Sequence, residues 1–285
     1  MSVPKFKDIS KKSNDVLSRD FYHLAPLNLE VKTIAPNGVA FAVEGKSNQK
    51  NDTLAGKLEA KYADRATGVT LTQDWLTANV LNTKIEVSDA FTPGLDGSVD
   101  TSFLPESGAK AAKLSLNFKH PGVNANVVAD VFKSAFTGNV VLGQKGFLAG
   151  GEFGYDIGKG QMTRYTTQLG YVAPTYSAAI AASNNLSVYT ASIYHRVDVA
   201  TEIGARATWN SSPPASGNVG LEAAVKHALD KSAFVKAKLN NQGVAALSYS
   251  QALRPGVTLG VGLEANIQKL SEASHKVGLS LNFVA

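Results

Sequence analysis

The chain has 285 residues and no cysteine, so a disulfide framework is excluded and cysteine usage leaves the redox compartment open. Charge is also scarce. Asp, Glu, Lys and Arg make up only 18% of the residues. The net charge of +5 is spread along the chain, with no Lys/Arg block to serve as a nucleic-acid arm, so nucleic acid is not an expected partner. Long apolar runs are missing although hydrophobic residues reach 44%. A spanning helix needs roughly 18 consecutive apolar residues, and no such run exists. The polar, basic N-terminus shows no basic head, apolar core and small-residue site of a cleavable signal.

Catalytic motifs are absent as well. There is no Gly-x-x-x-x-Gly-Lys-Ser/Thr, no Gly-x-Gly-x-x-Gly after a strand and no His-Glu-x-x-His. The five histidines, His23, His120, His195, His227 and His275, are far apart in sequence, and none has a His or carboxylate at metal-ligand spacing on its own face. No catalytic residue, cofactor or metal site is expected.

What the chain does have is a two-residue alternation recurring from about residue 26 to the C-terminus. Val277, Leu279, Leu281 and Phe283 fall on one phase, and Lys276, Gly278, Ser280 and Asn282 on the other. Val257, Leu259, Val261, Leu263, Ala265 and Ile267 alternate in the same way with polar residues and glycine. Period two gives each strand one apolar and one polar face. Turn signals punctuate the pattern: Pro36-Asn37-Gly38, Asn48 to Asp52, Asp64 to Gly68, Pro93-Gly94, Pro105 to Gly108 and Pro121-Gly122. Gly143 to Gly146, Gly158 to Gly160, Asn184-Asn185, Ser211 to Gly217, Asn240 to Gly243 and Pro255-Gly256 continue it.

At about 14 residues per strand and turn, the chain after Pro26 accommodates roughly 18 or 19 strands. There is no composition break, so residues 26–285 are expected to form one unit, a transmembrane β-barrel, preceded by a distinct segment over 1–25. A barrel of 16–18 strands already encloses an aqueous channel that side chains cannot fill. The polar phase then lines water inside, and the apolar phase meets lipid.

The apolar phase runs through Leu27/Leu29/Val31, Val39/Phe41/Val43, Leu58/Ala60/Tyr62, Leu114/Leu116/Phe118, Tyr176/Ala178/Ile180, Ile203 to Trp209 and Leu221/Ala223/Val225. Tyr62, Tyr155, Tyr171, Trp209 and Tyr249 are expected toward strand ends, as an interfacial aromatic girdle requires. Alternation is poorest between Phe132 and Gly143.

The polar phase collects Lys32, Lys46, Lys57, Lys61, Lys84, Lys113, Lys119, Arg164, Arg206, Lys226, Lys236, Lys238 and Lys276. Against them stand Glu30, Glu44, Glu59, Asp74, Glu86, Glu152, Asp156, Glu202, Glu222 and Glu264. Fixed charges of mixed sign with a small basic excess bias local ion concentrations, which predicts a weak preference for anions. The plainer reading, a solvated sheet face of a soluble protein, fits the strand count poorly.

Residues 4–20 place Phe6, Ile9, Val16 and Leu17 at helical spacing, with Lys5, Lys7, Asp8, Lys11, Lys12, Asp15 and Arg19 on the remaining face. Asp20 and Phe21-Tyr22 mark the end. Such a helix either rests on anionic lipid or lies against a pore wall, where it narrows the channel and adds charge.

Four stretches together identify a resemblance. They are Asp8-Ile9, Lys11, Asp15-Val16-Leu17 and Arg19; Gly68 to Gln73 with Trp75 and Thr92-Pro93-Gly94-Leu95; His227-x-x-Asp230 through Ala237 to Asn241, Ala246-Leu247 and Tyr249, with Leu253 to Val257; and His275 to Phe283. The chain resembles the eukaryotic mitochondrial porins (voltage-dependent anion channels), most closely the fungal ones, from end to end. That family is itself a known case of a 19-stranded barrel, so that number comes with the resemblance and not from the spacing.

The resemblance implies a voltage-gated, weakly anion-selective pore in the mitochondrial outer membrane. Nucleotides, phosphate, small organic anions and inorganic ions would pass through it. An odd strand count implies a parallel first and last pair, and the family places the N-terminal helix in the lumen. The pore and selectivity residues are then Lys11, Lys12, Asp15, Arg19, Lys46, Lys61, Lys84, Lys113, Lys236 and Lys238. Lys11 and Arg19 match helix cations that contact nucleotide in the family, whereas Asn14 replaces an arginine between them. Lys276, Gly278, Leu281 and Phe283 look like the C-terminal sorting signal, and equally make a good last strand. Gln73, on the lipid phase, stands where many relatives carry glutamate, which removes a costly carboxylate from lipid. Asp96 stands where relatives often have lysine. No glycine precedes Gly38, so the family's glycine hinge has no counterpart.

Membrane lipid and ATP, ADP and other small anions in transit are the implied partners, with further copies of the chain and rim-bound proteins as additional candidates. Two other functions fit such a barrel: a protein-import pore, which predicts a longer N-terminal extension, and a docking scaffold, which needs an exposed partner site. Small-ligand carriers close with about eight to ten strands and are excluded by size.

Overall fold

The computed structural model describes residues 3–48, 53–64, 66–89, 92–212, 219–271 and 275–285. Among them are nineteen strands in one closed sheet. The first eight are β1 (Leu27–Ile34), β2 (Ala40–Asn48), β3 (Thr53–Asp64), β4 (Val69–Leu76), β5 (Leu81–Ser88), β6 (Leu95–Leu104), β7 (Ala109–His120) and β8 (Val123–Asp130). Then come β9 (Ala135–Gln144), β10 (Phe147–Asp156), β11 (Gln161–Val172), β12 (Tyr176–Ser183), β13 (Val188–Arg196) and β14 (Thr201–Asn210). The last are β15 (Val219–Ala228), β16 (Ala233–Asn240), β17 (Val244–Arg254), β18 (Val257–Asn266) and β19 (Lys276–Val284).

Each strand pairs antiparallel with the next, and β1 pairs parallel with β19, Leu27 opposite Leu279 through Lys32 opposite Val284. Closure leaves no unpaired edge, which is what permits strands to cross a bilayer. Among the described residues no helix is long and apolar enough to do so.

Turn chemistry matches the punctuation. Pro121-Gly122 and Pro255-Gly256 are proline-glycine turns whose glycines take φ of 101° and 80°, conformations open mainly to glycine. Most of the turn expected at Ser211 to Gly217, most of that at Asn48 to Asp52 and part of that at Asp64 to Gly68 lie outside the described residues.

The apolar phase faces outward. Leu116, Leu169 and Val277 are 57%, 64% and 60% exposed, an arrangement that only a surrounding lipid phase stabilises. Aromatic side chains gather at both ends of the strands. Phe147, Tyr171 and Tyr176 cluster at one rim, with ring centroids 4.7 and 5.7 Å apart, and Tyr189 stacks on Trp209 at 5.3 Å at the other. Tyr249 departs from the expected girdle, because it lies at the middle of β17. Its hydroxyl donates to Gln251 Oε1 at 2.6 Å on the same face, so the phenol is satisfied without reaching the headgroups.

β9 is regular despite its irregular sequence pattern. Val141 is apolar on the inward phase because the N-terminal segment covers it completely.

Candidate pore and its N-terminal lining

The N-terminal segment is not the single helix expected over 4–20. A 3-10 turn covers Phe6–Asp8 and the helix, α1, covers only Lys11–Ser18, with Ser10 at φ −99° and ψ 17° between them. A continuous helix of that length would be a rod of roughly 25 Å, whereas the inner wall is concave. The break lets the segment follow it.

Two dry patches hold it there. Val3, Phe6 and Ile9 pack on Val141, Leu148 and Ala179, and Val16, Leu17 and Phe21 pack on Tyr194, Ala224 and Ala246. These wall residues share the phase of the charged side chains, so the segment lies in the lumen, running from β9–β10 past β13–β15 to β18–β19. Small residues make room for it. A Cβ at Gly204 would stand 3.1 Å from Val16 Cβ and 3.2 Å from Ser13 O, and one at Gly278 would collide with the carbonyl oxygens of Tyr22 and Ala25.

Polar contacts fix the path. Asn124 Nδ2 donates to Val3 O at 3.2 Å, Gln168 Nε2 to Ser10 Oγ at 3.0 Å, and Arg206 to Asn14 Oδ1 at 3.2 Å. Asn14 therefore serves as an acceptor for a wall arginine. His23 is buried, with Nε2 2.9 Å from Glu264. Burial pushes its pKa below the ordinary histidine value against the pull of Glu264, while Lys238 and Lys276 add to the depression.

The residues singled out from sequence have different surroundings. Lys11 is exposed, 4.0 Å from Asp8, and the Arg19 guanidinium is exposed, 3.7 Å from Asp20. Lys12 lies over the Tyr194 ring at 5.6 Å, and Lys238 over Phe21 at 5.0 Å. The carboxylate of Asp15 is half-buried on α1. Lys46 pairs with Glu44 at 2.5 Å and Lys84 with Glu86 at 2.7 Å. Lys113 stands in register between Asp100 and Asp130, and neither it nor Lys61 forms an ion pair among the described residues. Lys236 is only 2% exposed, covered by the segment. Its Nζ donates to Asp15 O at 2.9 Å and Arg19 O at 2.5 Å. Gln73 faces outward between Ala60 and Thr83. Lys276 pairs with Glu264 at 2.6 Å, and Leu281 and Phe283 face outward beside Leu29 and Val31.

Charge is distributed unevenly round the lumen. On β1–β8 the inward cations Lys32, Lys46, Lys57, Lys61, Lys84, Lys113 and Lys119 are matched by Glu30, Glu44, Glu59, Asp74, Glu86, Asp96, Asp100 and Asp130. On β9–β19 the inward cations Arg164, Arg196, Arg206, Lys226, Lys236, Lys238 and Lys276 exceed Glu152, Asp156, Glu202, Glu222 and Glu264. The N-terminal segment adds Lys5, Lys7, Lys11, Lys12 and Arg19 against Asp8, Asp15 and Asp20. The basic excess thus sits on the side that carries the helix.

The profile of a family described as eukaryotic porin matches residues 2–278. The chain belongs to the eukaryotic porin family. It is 47% identical over 286 residues to the mitochondrial outer membrane protein porin of Candida albicans, covering 100% of both chains. It is 42% identical to the non-selective voltage-gated ion channel 1 of Saccharomyces cerevisiae, again over 100% of each. Among solved structures, a mutant porin of Rh. blastica superposes with a TM-score of 0.53 at 11% identity, over 80% of this chain and 97% of that one, which is a likeness of barrel fold alone.

Reading the sequence missed His23, Ser248 and the small inward residues beneath the segment. A signal for the latter exists. On β17 to β19 much of the inward phase is taken by Ser248, Ser250, Gly260, Gly262, Gly278 and Ser280, a track too small and neutral for an open ionic wall.

Proposed function

We propose that this eukaryotic porin is a voltage-gated diffusion channel of the mitochondrial outer membrane with a weak preference for anions, passing nucleotides, phosphate, small organic anions and inorganic ions. The observation that carries this reading is the water-lined inner face whose basic excess lies along the helix-bearing wall. An ion in a wide pore responds to such a field by a change in local concentration, not by binding in a filter. The names of the fungal relatives support the membrane and the voltage response. Lys11, Lys12, Asp15, Arg19, Lys46, Lys61, Lys84, Lys113 and Lys238 are the proposed charges of the path. Lys11 and Arg19, both exposed on the segment, are the proposed nucleotide contacts. Lys276, Gly278, Leu281 and Phe283 are the proposed sorting signal.

Reconstitution of the full chain in a planar bilayer tests it. A large open state with reversal potential on the anion side of a salt gradient, falling to smaller states at both polarities, is expected. A cation-selective pore blocked by presequence-like peptides would replace this reading with protein import, and a correctly folded sample without conductance would leave only a scaffold.

A further inference from the structure

We infer that Lys236 is a positioning residue, a latch that holds the C-terminal end of α1 on the barrel wall and so sets the voltage response through helix position. Strand phase alone places it in a basic inward patch with Lys226 and Lys238, as though it were one more charge attracting anions. Its surroundings are unlike theirs. It is covered, so mobile ions do not reach its ammonium group.

Two of its protons go to the carbonyls of Asp15 and Arg19. Asp15 O also accepts the N–H of the extended C-cap residue Arg19 at 3.2 Å, so the ammonium shares that carbonyl and takes the Arg19 carbonyl beyond it. Carbonyls at this end of a helix carry the negative end of its dipole, which favours a buried cation there. Lys236 Nζ also lies 4.9 Å from the centroid of the Phe21 ring. Ser248 stands opposite Lys236 in register on β17, and its hydroxyl donates to Asp20 O at 2.5 Å. The two neighbouring wall residues therefore take the carbonyls of Asp15, Arg19 and Asp20, which end α1 and begin the link to β1.

The wall has a reason to keep the helix in place. Lys226 is the register partner of Lys236 on β15, and like charges directly opposite destabilise a sheet. The carbonyls at the end of α1 solvate one of the two ammonium groups. Lys226, by contrast, lies over the Phe234 ring at 4.7 Å. The latch thus differs from its neighbours in what it touches and not in the sign of its charge.

The test uses the full chain in lipid bilayers. Because the natural sequence has no cysteine, Ser18→Cys on the exposed end of α1 carries a single nitroxide. Lys236→Met keeps volume and apolar contact while deleting the donors. Loss of charge-assisted hydrogen bonds of this kind should raise the ratio of mobile to immobile label roughly tenfold or more and shift the voltage of half-closure, while Lys236→Arg restores the immobile spectrum. Lys226→Met should instead move the open-state reversal potential with no change in label mobility. Unchanged mobility in Lys236→Met would overturn the latch. So would an open-state reversal potential displaced as far as in Lys226→Met. If Lys236→Met does not refold, Ser248→Ala decides, since it frees only the Asp20 carbonyl: a smaller rise in mobility supports the latch and none refutes it.

Discussion

The imidazole of His23 meets the carboxylate of Glu264 at 2.9 Å, joining the end of the N-terminal segment to β18 inside the lumen. Its second ring nitrogen, Nδ1, is buried without a hydrogen-bond partner among the described residues.

Acid should loosen this anchorage. Burial lowers the docked pKa of His23, so the docked state favours the neutral ring although Glu264 pulls the other way. Docking is then at full strength above the undocked pKa of about 6.5, and weakens as pH falls below it because the released segment takes up the proton more readily. Mobility of a nitroxide at Ser18→Cys, followed from pH 8 to 5, should rise on the acid side in the parent and lose that slope in His23→Gln.

Gly278 should tolerate no side chain. Gly278→Ala forces a methyl group into the carbonyls of Tyr22 and Ala25, with a cost of about 1–3 kcal/mol. Gly151, on the outward phase of β10 with nothing within 4 Å of an added Cβ, should accept alanine within about 0.5 kcal/mol. Thermal unfolding of the two variants in detergent, followed by circular dichroism, compares them directly.

Lys61→Glu and Arg19→Glu should both move the reversal potential toward cations. The displacement should shrink as salt rises, since the screening length falls from about 10 Å at 0.1 M to about 3 Å at 1 M. A displacement independent of salt would point to a local binding site in place of a lumen field.

On the lipid side, Gln251→Leu strands the hydroxyl of Tyr249 in the apolar band and should cost about 1 kcal/mol. Tyr249→Phe in the same chain should recover most of it, and the double-mutant cycle on unfolding free energies measures the coupling.

Much of the barrel was legible in the sequence because a strand in lipid obeys a local rule. Leu279 and Leu281 against Gly278 and Ser280 report their faces without reference to any distant residue. The rule faltered where the inner face is dry. Val141 and Leu148 are apolar on the inward phase because Val3, Phe6 and Ile9 cover them. On the lipid side it was the girdle expectation that failed, at Tyr249, which lies mid-strand with Gln251 serving its hydroxyl. The aromatic and lysine residues of these places look the same in sequence as those at rims and open walls.

Alternation, turn residues and the absence of a spanning helix determined by themselves that the chain closes a wide barrel with charge inside and lipid outside. Tertiary structure alone decided what each inward charge does. Lys61 and Lys236 share residue type and strand phase, yet Lys61 forms no ion pair among the described residues while Lys236 is consumed by the carbonyls of Asp15 and Arg19. Those partners lie more than two hundred residues away in sequence, and only the path of the N-terminal segment across the wall brings them within reach of one ammonium group.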